Sequence, residues 1–417
     1  MKSELDPQKV FGPTRGARAM AVFCGLLVLA GVGAFLAGVL GPQPVRVWQV
    51  YLVNFLFWSG VSFGSLLFVA LMNLVQARWG RPFKRLAEAP AAFLPLSYLL
   101  FWVLYLGRKR IFPWIEVPVP GKEAWLNPGF MFLREGVGLF LLTAVSLALV
   151  YCSARSDLEA ARGEEEGDAS KGDRGQGFAK KSWKVQTVLS PVLGILYGTV
   201  LSLVAFDLIM SLTPEWYSTL FGAYFFIGCF YAGLAGIVVL SAIAFRHTEL
   251  RSVVKPRHFH NLGKLLFGMC LLTGYFFFSQ LLLIWYGNLP YETRFLIRRF
   301  GRGPWETLAW VVFFLYVAMP ALILINRRIK MKLIPMFLLA IMVLVGKWLE
   351  CFLLVVPSLW KGEQIPLGVQ EVLITGGFFG AMVLCVGAFL HRYPLLPVSD
   401  PLFRAGFEGN GLSRSEW

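Results

Sequence analysis

The apolar segment Leu262–Tyr286 constrains the fold of this chain more than any other stretch of the sequence. At ~1.5 Å per residue, about 20 apolar residues in a helix cross a hydrocarbon core of ~30 Å. Trp285 and Tyr286 close the segment, which is typical of the aromatic belt at a membrane surface. Gln280 lies within it, and an amide at that depth needs a partner on a neighbouring helix or in a hydrated cavity. The segment therefore predicts a membrane-spanning helix that faces the interior of a helix bundle.

The composition of the whole chain is that of an integral membrane protein. Hydrophobic residues make up 57% of the sequence and the mean hydropathy is +0.64, both above the values of soluble domains. The formal net charge of +15 can indicate nucleic-acid binding. However, the basic residues lie in short loops between apolar runs, as the positive-inside rule predicts. We therefore expect an all-α integral membrane protein that binds no nucleic acid.

The sequence contains ten apolar runs that we predict to be membrane spans, and we name them spans 1 to 10; nine have at least 20 residues and the third is shorter. They are predicted at Ala17–Leu40, Trp48–Ala77, Phe93–Leu106, Phe130–Val150, Val188–Leu212, Tyr217–Phe245, Leu262–Tyr286, Trp305–Asn326, Leu333–Val356 and Gln370–Leu390. Spans 2 to 5 and spans 6 to 9 can form two similar four-helix bundles that start on the same side of the membrane. Spans 1 and 10 then flank the two bundles.

The region between spans 4 and 5 differs from the other loops because acidic, basic and glycine residues fill it. Such a composition buries little apolar surface, so we predict a mobile linker. The predicted division is a cytoplasmic N-terminus at 1–16, span 1 and most of the first bundle at 17–150, the cytoplasmic linker at 151–187, span 5 at 188–212, the second bundle at 217–356, the last flanking helix at 370–390 and a cytoplasmic tail at 391–417.

The basic residues of the loops predict the orientation of the chain. Most of them follow the even-numbered spans or precede span 1, so both termini are expected in the cytoplasm. Two clusters break this rule on the outer side: one runs from Arg108 to Lys122, and the other holds Arg294, Arg298, Arg299 and Arg302. An acidic partner docked on the outer face would explain both clusters, and simple tolerance of these charges is the alternative.

Five ionisable residues fall inside or at the edge of predicted spans: Asp207, Arg134, Glu135, Lys347 and Glu350. Insertion of one central Asp, Lys or Arg costs about 2.5–3.5 kcal/mol, so these side chains are expected to face the bundle interior. Lys347 and Glu350 share a helix face because they are three residues apart. We predict that Asp207, Lys347 and Glu350 line one polar cavity in the second bundle, as part of a proton path or ligand pocket. The alternative is structural pairing.

Weaker signals come from polar residues that also serve to hold helices together. Gln280, Asn54 and Ser62 are candidates for lining a cavity or a quinone site. The histidines lie in loops or near the ends of spans, so no haem and no metal are expected. His258 and His260 are candidates for proton uptake on the inner side.

Five stretches of the sequence carry a family resemblance. They are GKEAWLNPGFMFLRE at Gly121–Glu135, FDLIMSLTPEWYSTLFGAYFFIG at Phe206–Gly228, HNLGKLLF at His260–Phe267, FSQLLLIWYGNLPYET at Phe278–Thr293 and VVPSLW at Val355–Trp360. Together they resemble the membrane subunits related to the polysulfide-reductase anchor, the NrfD-like family. Within that family they are most similar to the F subunits of bacterial alternative complex III.

The resemblance implies two four-helix bundles and a subunit of a respiratory quinol:electron-acceptor oxidoreductase in the bacterial inner membrane. The complex would oxidise menaquinol or ubiquinol, and this chain would bind no cofactor itself. The implied partners are a sister NrfD-like subunit, a periplasmic iron–sulfur subunit, multihaem c-type cytochromes, a small membrane subunit and a terminal oxidase. In that family the sister subunit is the candidate for the quinol site, and the counterpart of this chain is assigned to proton transfer.

The sequence departs from the family pattern at Asn261, where relatives often carry Asp, and also at Glu215 and Tyr291. Asn261 removes an ionisable group from the inner side, where His258 or His260 can substitute. Two other functions stay open. A secondary transporter would be favoured by spans broken by Gly or Pro near the midplane, and no convincing pair of these occurs. A purely structural anchor for redox subunits is the third possibility.

Overall fold

The computed structural model describes residues 15–165, 169–245, 250–301, 303–362, 364–397 and 399–403, and these residues form helices and connecting loops without strands. The long α-helices are Arg15–Val39, Pro44–Leu74, Leu94–Leu106, Pro128–Glu165, Ala169–Val204, Leu220–Phe245, Pro256–Gly287, Pro290–Phe300, Gly303–Phe313, Leu333–Leu359 and Val369–Arg392. Short α-helices lie at Lys84–Glu88, Arg108–Ile111, Leu250–Val253, Met319–Ile325 and Arg327–Lys330. Within this part of the chain, ten helical segments are long and apolar enough to cross a membrane. The predicted all-α class and the ten spans are confirmed.

Successive spans run in opposite directions, so each loop lies at one of two ends of the molecule. We call the end at which span 1 begins the N-terminal face, and the other end the opposite face. One amphipathic helix, Pro290–Phe300, connects span 7 to span 8 at the opposite face.

Span 3 is longer than predicted. It extends over Arg81–Leu106, whereas the prediction was Phe93–Leu106. Its first half alternates between 3-10 and α-helix, with prolines at the start of the 3-10 segments. Proline has no N–H for the helical hydrogen bond, so an apolar periodicity is hard to recognise in such a segment. As a result, the sequence assigns Arg81, Lys84 and Arg85 to a loop, whereas the structure buries all three.

The helices of spans 4 and 5 extend into the predicted linker at 151–187. Span 4 continues as helix to Glu165, and the next helix starts at Ala169. Ser156, Asp157 and Gln186 are buried in this region. The two ends of the predicted linker have partners in span 3, because Asp157 pairs with Arg85 and Gln186 accepts a hydrogen bond from Lys84 at 2.9 Å. Residues 166–168 lie outside the described residues.

The two bundles meet where spans 2 and 6 cross at glycines. A Cβ atom added to Gly64 would lie 2.2 Å from the carbonyl oxygen of Cys229. A Cβ added to Gly233 would lie 2.4 Å from the backbone of Gly64. Small residues allow this approach of two helix backbones, which is a common way for membrane helices to pack without a hydrophobic driving force between them.

The flanking spans 1 and 10 pack along each other and also cross at glycines. A Cβ on Gly31 would lie 2.7 Å from the Cα of Gly377. Span 10 is fixed to span 2 by the Arg46–Glu371 ion pair, with 2.7 Å between Nε and Oε1. Asn54 of span 2 also donates a hydrogen bond to Thr375 of span 10.

Two spans contain a π-helical turn. Residues Ala205–Ile209 form one in span 5, and Phe314–Ala318 form the other in span 8. Such a turn inserts an extra residue into the helix, rotates the side chains beyond it, and frequently occurs at functional sites. Asp207 and Tyr316 lie in these two turns, so each is placed by an irregular part of its helix.

Candidate functional site

Lys347 and Glu350 form a buried ion pair in span 9. The Nζ–Oε2 distance is 2.6 Å, and 1% and 3% of the two side chains are exposed. Their spacing of three residues places both on the same face of the helix Leu333–Leu359. A pair of opposite charges at this position avoids the high cost of a single buried charge.

The glycine at position 228 of span 6 makes room for Lys347. A Cβ there would lie 2.8 Å from the Lys347 Nζ and 3.0 Å from the Tyr316 hydroxyl oxygen. Tyr316 donates a hydrogen bond of 3.1 Å to the carbonyl of Gly228. The Lys347 Nζ also lies 5.0 Å from the ring centroid of Phe225, within the range of a cation–π contact. Lys347 is therefore enclosed by spans 6 and 8.

Glu350 reaches the wall of a cavity of about 70 Å³ inside the second bundle. The wall is mostly aromatic and aliphatic. Its polar groups come from six side chains: Glu350, Tyr224, Gln280, Arg299, Tyr316 and the indole of Trp216. Tyr224 lies beside Glu350. Gln280, predicted as a cavity-lining residue, donates to the carbonyl of Phe276 at 3.2 Å and takes part in this wall.

Arg299 borders the cavity at the opposite face and is 2% exposed. Its guanidinium donates to the carbonyl oxygens of Leu353 at 3.1 Å and Leu354 at 2.7 Å. The carbonyl of Leu353 is free to accept this hydrogen bond, because Pro357, four residues later, has no N–H to donate to it within the helix. Burial, followed by the charge of Arg298, lowers the pKa of Arg299 to about 9.

The Arg299 guanidinium is also part of an aromatic stack. It lies 3.6 Å from the ring centroid of Phe295. Phe295 stacks on Trp216 with centroids 3.7 Å apart and an interplanar angle of 8°. This stack joins the amphipathic helix to the loop after span 5 and covers one side of the cavity. The indole N–H of Trp216 has no hydrogen-bond partner among the described residues.

A second polar cluster lies in the first bundle, at the opposite-face ends of spans 4 and 5. Asp207 accepts hydrogen bonds from both Nε, at 2.9 Å, and Nη2 of Arg134. The indole N–H of Trp125 donates to its other oxygen at 3.0 Å. Arg134 lies 3.8 Å from the ring centroid of Trp125. The loop that carries Trp125 is fixed by Lys122, which donates to the carbonyl of Pro214 at 2.6 Å.

Glu135 lies next to this cluster and faces Asp207. Its side chain is 1% exposed, and neither of its oxygens has a hydrogen-bond partner among the described residues. Arg134 and Glu135 were both predicted to turn inward from the start of span 4. The structure places them together with Asp207 in this site.

The prediction that Asp207 shares a cavity with Lys347 and Glu350 is wrong. The cavity wall is built from spans 6 to 9, the amphipathic helix and Trp216, whereas Asp207 pairs with Arg134 of span 4. Spans 4 and 5 are consecutive antiparallel helices, and Arg134 and Asp207 lie at similar depth in them. Two opposite charges at similar depth in adjacent spans are a signal that the sequence contains, and this signal predicts the Arg134–Asp207 pair.

Asn54 and Ser62 serve a different purpose from the cavity lining that was predicted for them. The Asn54 amide donates to Thr375 at 3.0 Å and accepts from the indole N–H of Trp348 at 3.1 Å. Ser62 donates to the carbonyl of Trp58 at 2.9 Å. Asn54 therefore connects span 2 to spans 9 and 10, and neither residue belongs to the cavity described above.

His258 and His260 lie in the first turns of span 7, at the N-terminal face. The Nδ1 atom of His258 accepts from the backbone N–H of Lys255 at 2.9 Å, which positions its ring at the start of the helix. The Nδ1 atom of His260 has no partner among the described residues. In that same part of the chain, no three His, Cys, Asp or Glu side chains are arranged to hold a metal ion.

The predicted interface cluster of the amphipathic helix divides into two groups. Arg294 and Arg298 are exposed, and Arg294 pairs with Glu215 at 3.2 Å on the surface. Arg299 is buried in its own subunit, so its assignment to an interface is wrong. On a helix, positions 294 and 298 share a face, and position 299 lies about 100° from position 298 and about 140° from position 294. Arg302 lies outside the described residues.

A buried ionic network that was not predicted from the sequence lies at the N-terminal face, and we call it the tail-binding network. Its charged members are Arg81, Lys84, Arg85, Glu88, Asp157 and Asp400. Asp400 accepts hydrogen bonds from Lys84 at 2.8 Å and Arg81 at 3.1 Å. Arg85 pairs with both Glu88 and Asp157. Three positive and three negative side chains are thus enclosed together, and they join span 3, span 4 and the segment after span 10.

Comparison with known proteins identifies the family. Residues 38–361 match the family described as "Polysulphide reductase, NrfD". The match includes both polar clusters and the whole cavity wall. A comparison with curated proteins found no match. The chain therefore belongs to the NrfD polysulphide reductase family and is a multi-pass membrane subunit of the kind that works within redox complexes.

Proposed function

We propose that this subunit carries protons through its second bundle within a respiratory quinol:electron-acceptor oxidoreductase of the alternative complex III type. The observation that supports this most directly is the buried Lys347–Glu350 pair beside a partly polar cavity. Ionisable residues inside a membrane bundle are costly, and in membrane proteins they commonly mark paths for ions or protons. Glu350 is the proposed proton acceptor, and Lys347 is its counter-charge.

The size of the cavity favours protons over a quinone ring as its occupant. A cavity of ~150 Å³ accommodates benzene, and one water molecule needs roughly 10–15 Å³. At about 70 Å³, the cavity is smaller than a single ring requires and large enough for several water molecules. Glu350, Tyr224 and Gln280 offer such waters hydrogen bonds. Menaquinol or ubiquinol is thus proposed as the substrate of the complex, with its binding site on a sister subunit.

In the proposed mechanism, Lys347 stabilises the Glu350 carboxylate when no proton is present. A proton that reaches Glu350 competes with the ion pair, because an opposite charge nearby favours the ionised form of a carboxyl group. Its release toward the opposite face restores the pair. The proposed orientation places both termini in the cytoplasm of a bacterium and the opposite face in the periplasm, where an iron–sulfur subunit and multihaem cytochromes would bind.

The substitution Glu350→Gln tests this role. It keeps the shape and hydrogen-bonding capacity of the side chain and removes the group that binds the proton. We expect the variant to assemble with its redox partners and to lose most of its quinol-driven proton release. The measurement is quinol oxidation together with external acidification in vesicles that contain the purified complex.

Glu371→Gln is the matched control. Glu371 is also a buried carboxylate, but it pairs with Arg46 and lies away from the cavity. The control should keep normal proton release. Normal release by the Glu350→Gln complex would refute the proposed path and favour a structural anchor. Purification of the tagged chain without any haem protein would instead favour a secondary transporter.

A further inference from the structure

Glu135 is a buried acid that lacks the partners an ionised carboxylate requires. Only 1% of its side chain is exposed, and neither oxygen accepts a hydrogen bond from the described residues. Buried charges in proteins are almost always paired or hydrogen-bonded, because the cost of removing a bare carboxylate from water is several kcal/mol or more.

The positive charge that faces Glu135, Arg134, pairs with a different carboxylate and leaves only its Nη1 atom without a hydrogen-bond partner among the described residues. Arg134 donates through both Nε and Nη2 to Asp207, and Trp125 donates to the remaining oxygen of that residue. Arg134 and Asp207 are the charged groups that face Glu135 from spans 4 and 5. The nearby Lys122 is directed to the carbonyl of Pro214. Two carboxyl groups therefore meet beside one guanidinium.

We infer that Glu135 and Asp207 hold one proton between them. We call these two residues the acid pair, and Arg134 is the single cation beside them. Like charges at contact distance cannot both ionise at low cost, and one proton removes the repulsion. With the proton on Glu135, its O–H donates to the Asp207 carboxylate, and the total charge of the three side chains is zero. The site then has neither an unpaired charge nor an unsatisfied acid.

The acid pair is a proton-binding site in the first bundle, separate from the cavity of the second bundle. Trp125 is 44% exposed and lies over Arg134, so the site comes close to the surface at the opposite face. A proton can exchange with solvent there without crossing the hydrophobic core. This inference adds a second proton-holding group to the proposed function, but the shared proton does not depend on whether the complex transports protons.

Infrared spectroscopy of the purified complex tests the inference, because a protonated carboxyl group gives a carbonyl band that a carboxylate does not. In Glu135→Gln, the band should decrease by the intensity of one carboxyl group per chain. Asp207→Asn provides a second variant. It frees Arg134 to pair with Glu135, which should then ionise, and the same intensity should be lost.

Two controls separate this inference from the proposed function. Glu371→Gln removes a carboxylate that already has Arg46 and the Gly368 N–H as donors, so the band should not change. Glu350→Gln should impair proton release while the intensity assigned to the acid pair persists. Retention of the full band in either the Glu135 or the Asp207 variant would overturn the inference, whatever the complex does with protons.

Discussion

Asp400 shows how strongly one side chain can depend on distant partners. It accepts hydrogen bonds from Lys84 and Arg81, and the Trp183 ring lies within 5.7 Å of both cations. Burial raises the pKa of Asp400, but Lys84 and Arg81 together lower it by more, so the net shift is downward. The charged form is thus favoured in the folded protein, and the carboxylate contributes to stability.

We predict that Asp400→Asn destabilises the protein by about 3–5 kcal/mol, the usual cost of leaving buried charges without their partner. The measurement is thermal unfolding in detergent, with proteolysis to detect release of the C-terminal segment. Glu159→Gln is the control, because its pairing with Arg155 is partly exposed and its loss should have little effect. Equal stability of the two variants would show that the tail-binding network does not hold this segment.

The same residue gives a pH dependence with a defined direction. A carboxyl group whose pKa is lowered by folding stabilises the protein above the pKa of the unfolded chain, ~3.9. That contribution declines as the pH falls through the lower pKa of the folded state. Protection of the segment from proteolysis should therefore decrease only below about pH 4, and the Asp400→Asn variant should lose this part of the pH response.

At the scale of helices, the crossing of spans 2 and 6 determines how the two bundles fit together. Both helices are buried over much of their length, and the closest approach joins backbone to backbone at Gly64 and Gly233. A side chain can move aside when a neighbour grows, but a helix backbone at this crossing cannot move without displacing a whole bundle. The contact should therefore be sensitive to one added methyl group.

The prediction is that Gly233→Ala lowers stability by roughly 1–3 kcal/mol, the usual cost of overpacking a dense core. Its Cβ would lie 2.4 Å from backbone atoms of Gly64 and Ser65. Gly268→Ala in span 7 is the control, since nothing lies within 4 Å of its added Cβ. Thermal unfolding of both variants measures the difference. A Gly233 variant as stable as the control would mean that the bundles can separate without cost.

The parts of the structure that were predictable from sequence are those set by local composition. The length and apolar character of each span are properties of about 20 consecutive residues, so ten helices were identified, although spans 3, 4 and 5 extend beyond their predicted ends. The face to which a polar residue turns depends on the neighbouring helices. Asp207 was therefore assigned to the wrong bundle, and Arg81 was assigned to a loop, because its partner Asp400 is 319 residues away.

At the scale of the whole molecule, the exposed arginines of the amphipathic helix are the best candidates for an assembly contact. Arg294 is 68% exposed, and Arg298 lies one turn further along the same face. We predict that replacing both with Glu weakens retention of an extramembrane subunit when membranes are washed with salt. Such contacts act mainly through charge and are screened by salt.

Arg299→Gln is the contrasting variant for this experiment. Arg299 donates to the end of span 9 inside its own subunit, so the substitution should reduce the stability of the chain without a specific effect on salt sensitivity. Unchanged retention in the Arg294 and Arg298 double variant would remove these residues from the interface. A larger salt effect in the Arg299 variant would contradict the division of the cluster described above.

The tail-binding network also has a consequence for the order of biosynthesis. Translation proceeds from the N-terminus, so Arg81 and Lys84 leave the ribosome long before Asp400 is made. Until then, the newly inserted first bundle has two cations at its N-terminal face without their final carboxylate partner. The first bundle can therefore reach its final packing only after span 10 has been inserted. A chain truncated just before Asp400 would contain all ten spans but lack the carboxylate that pairs with Arg81 and Lys84, and quality-control proteases can distinguish it from the finished protein.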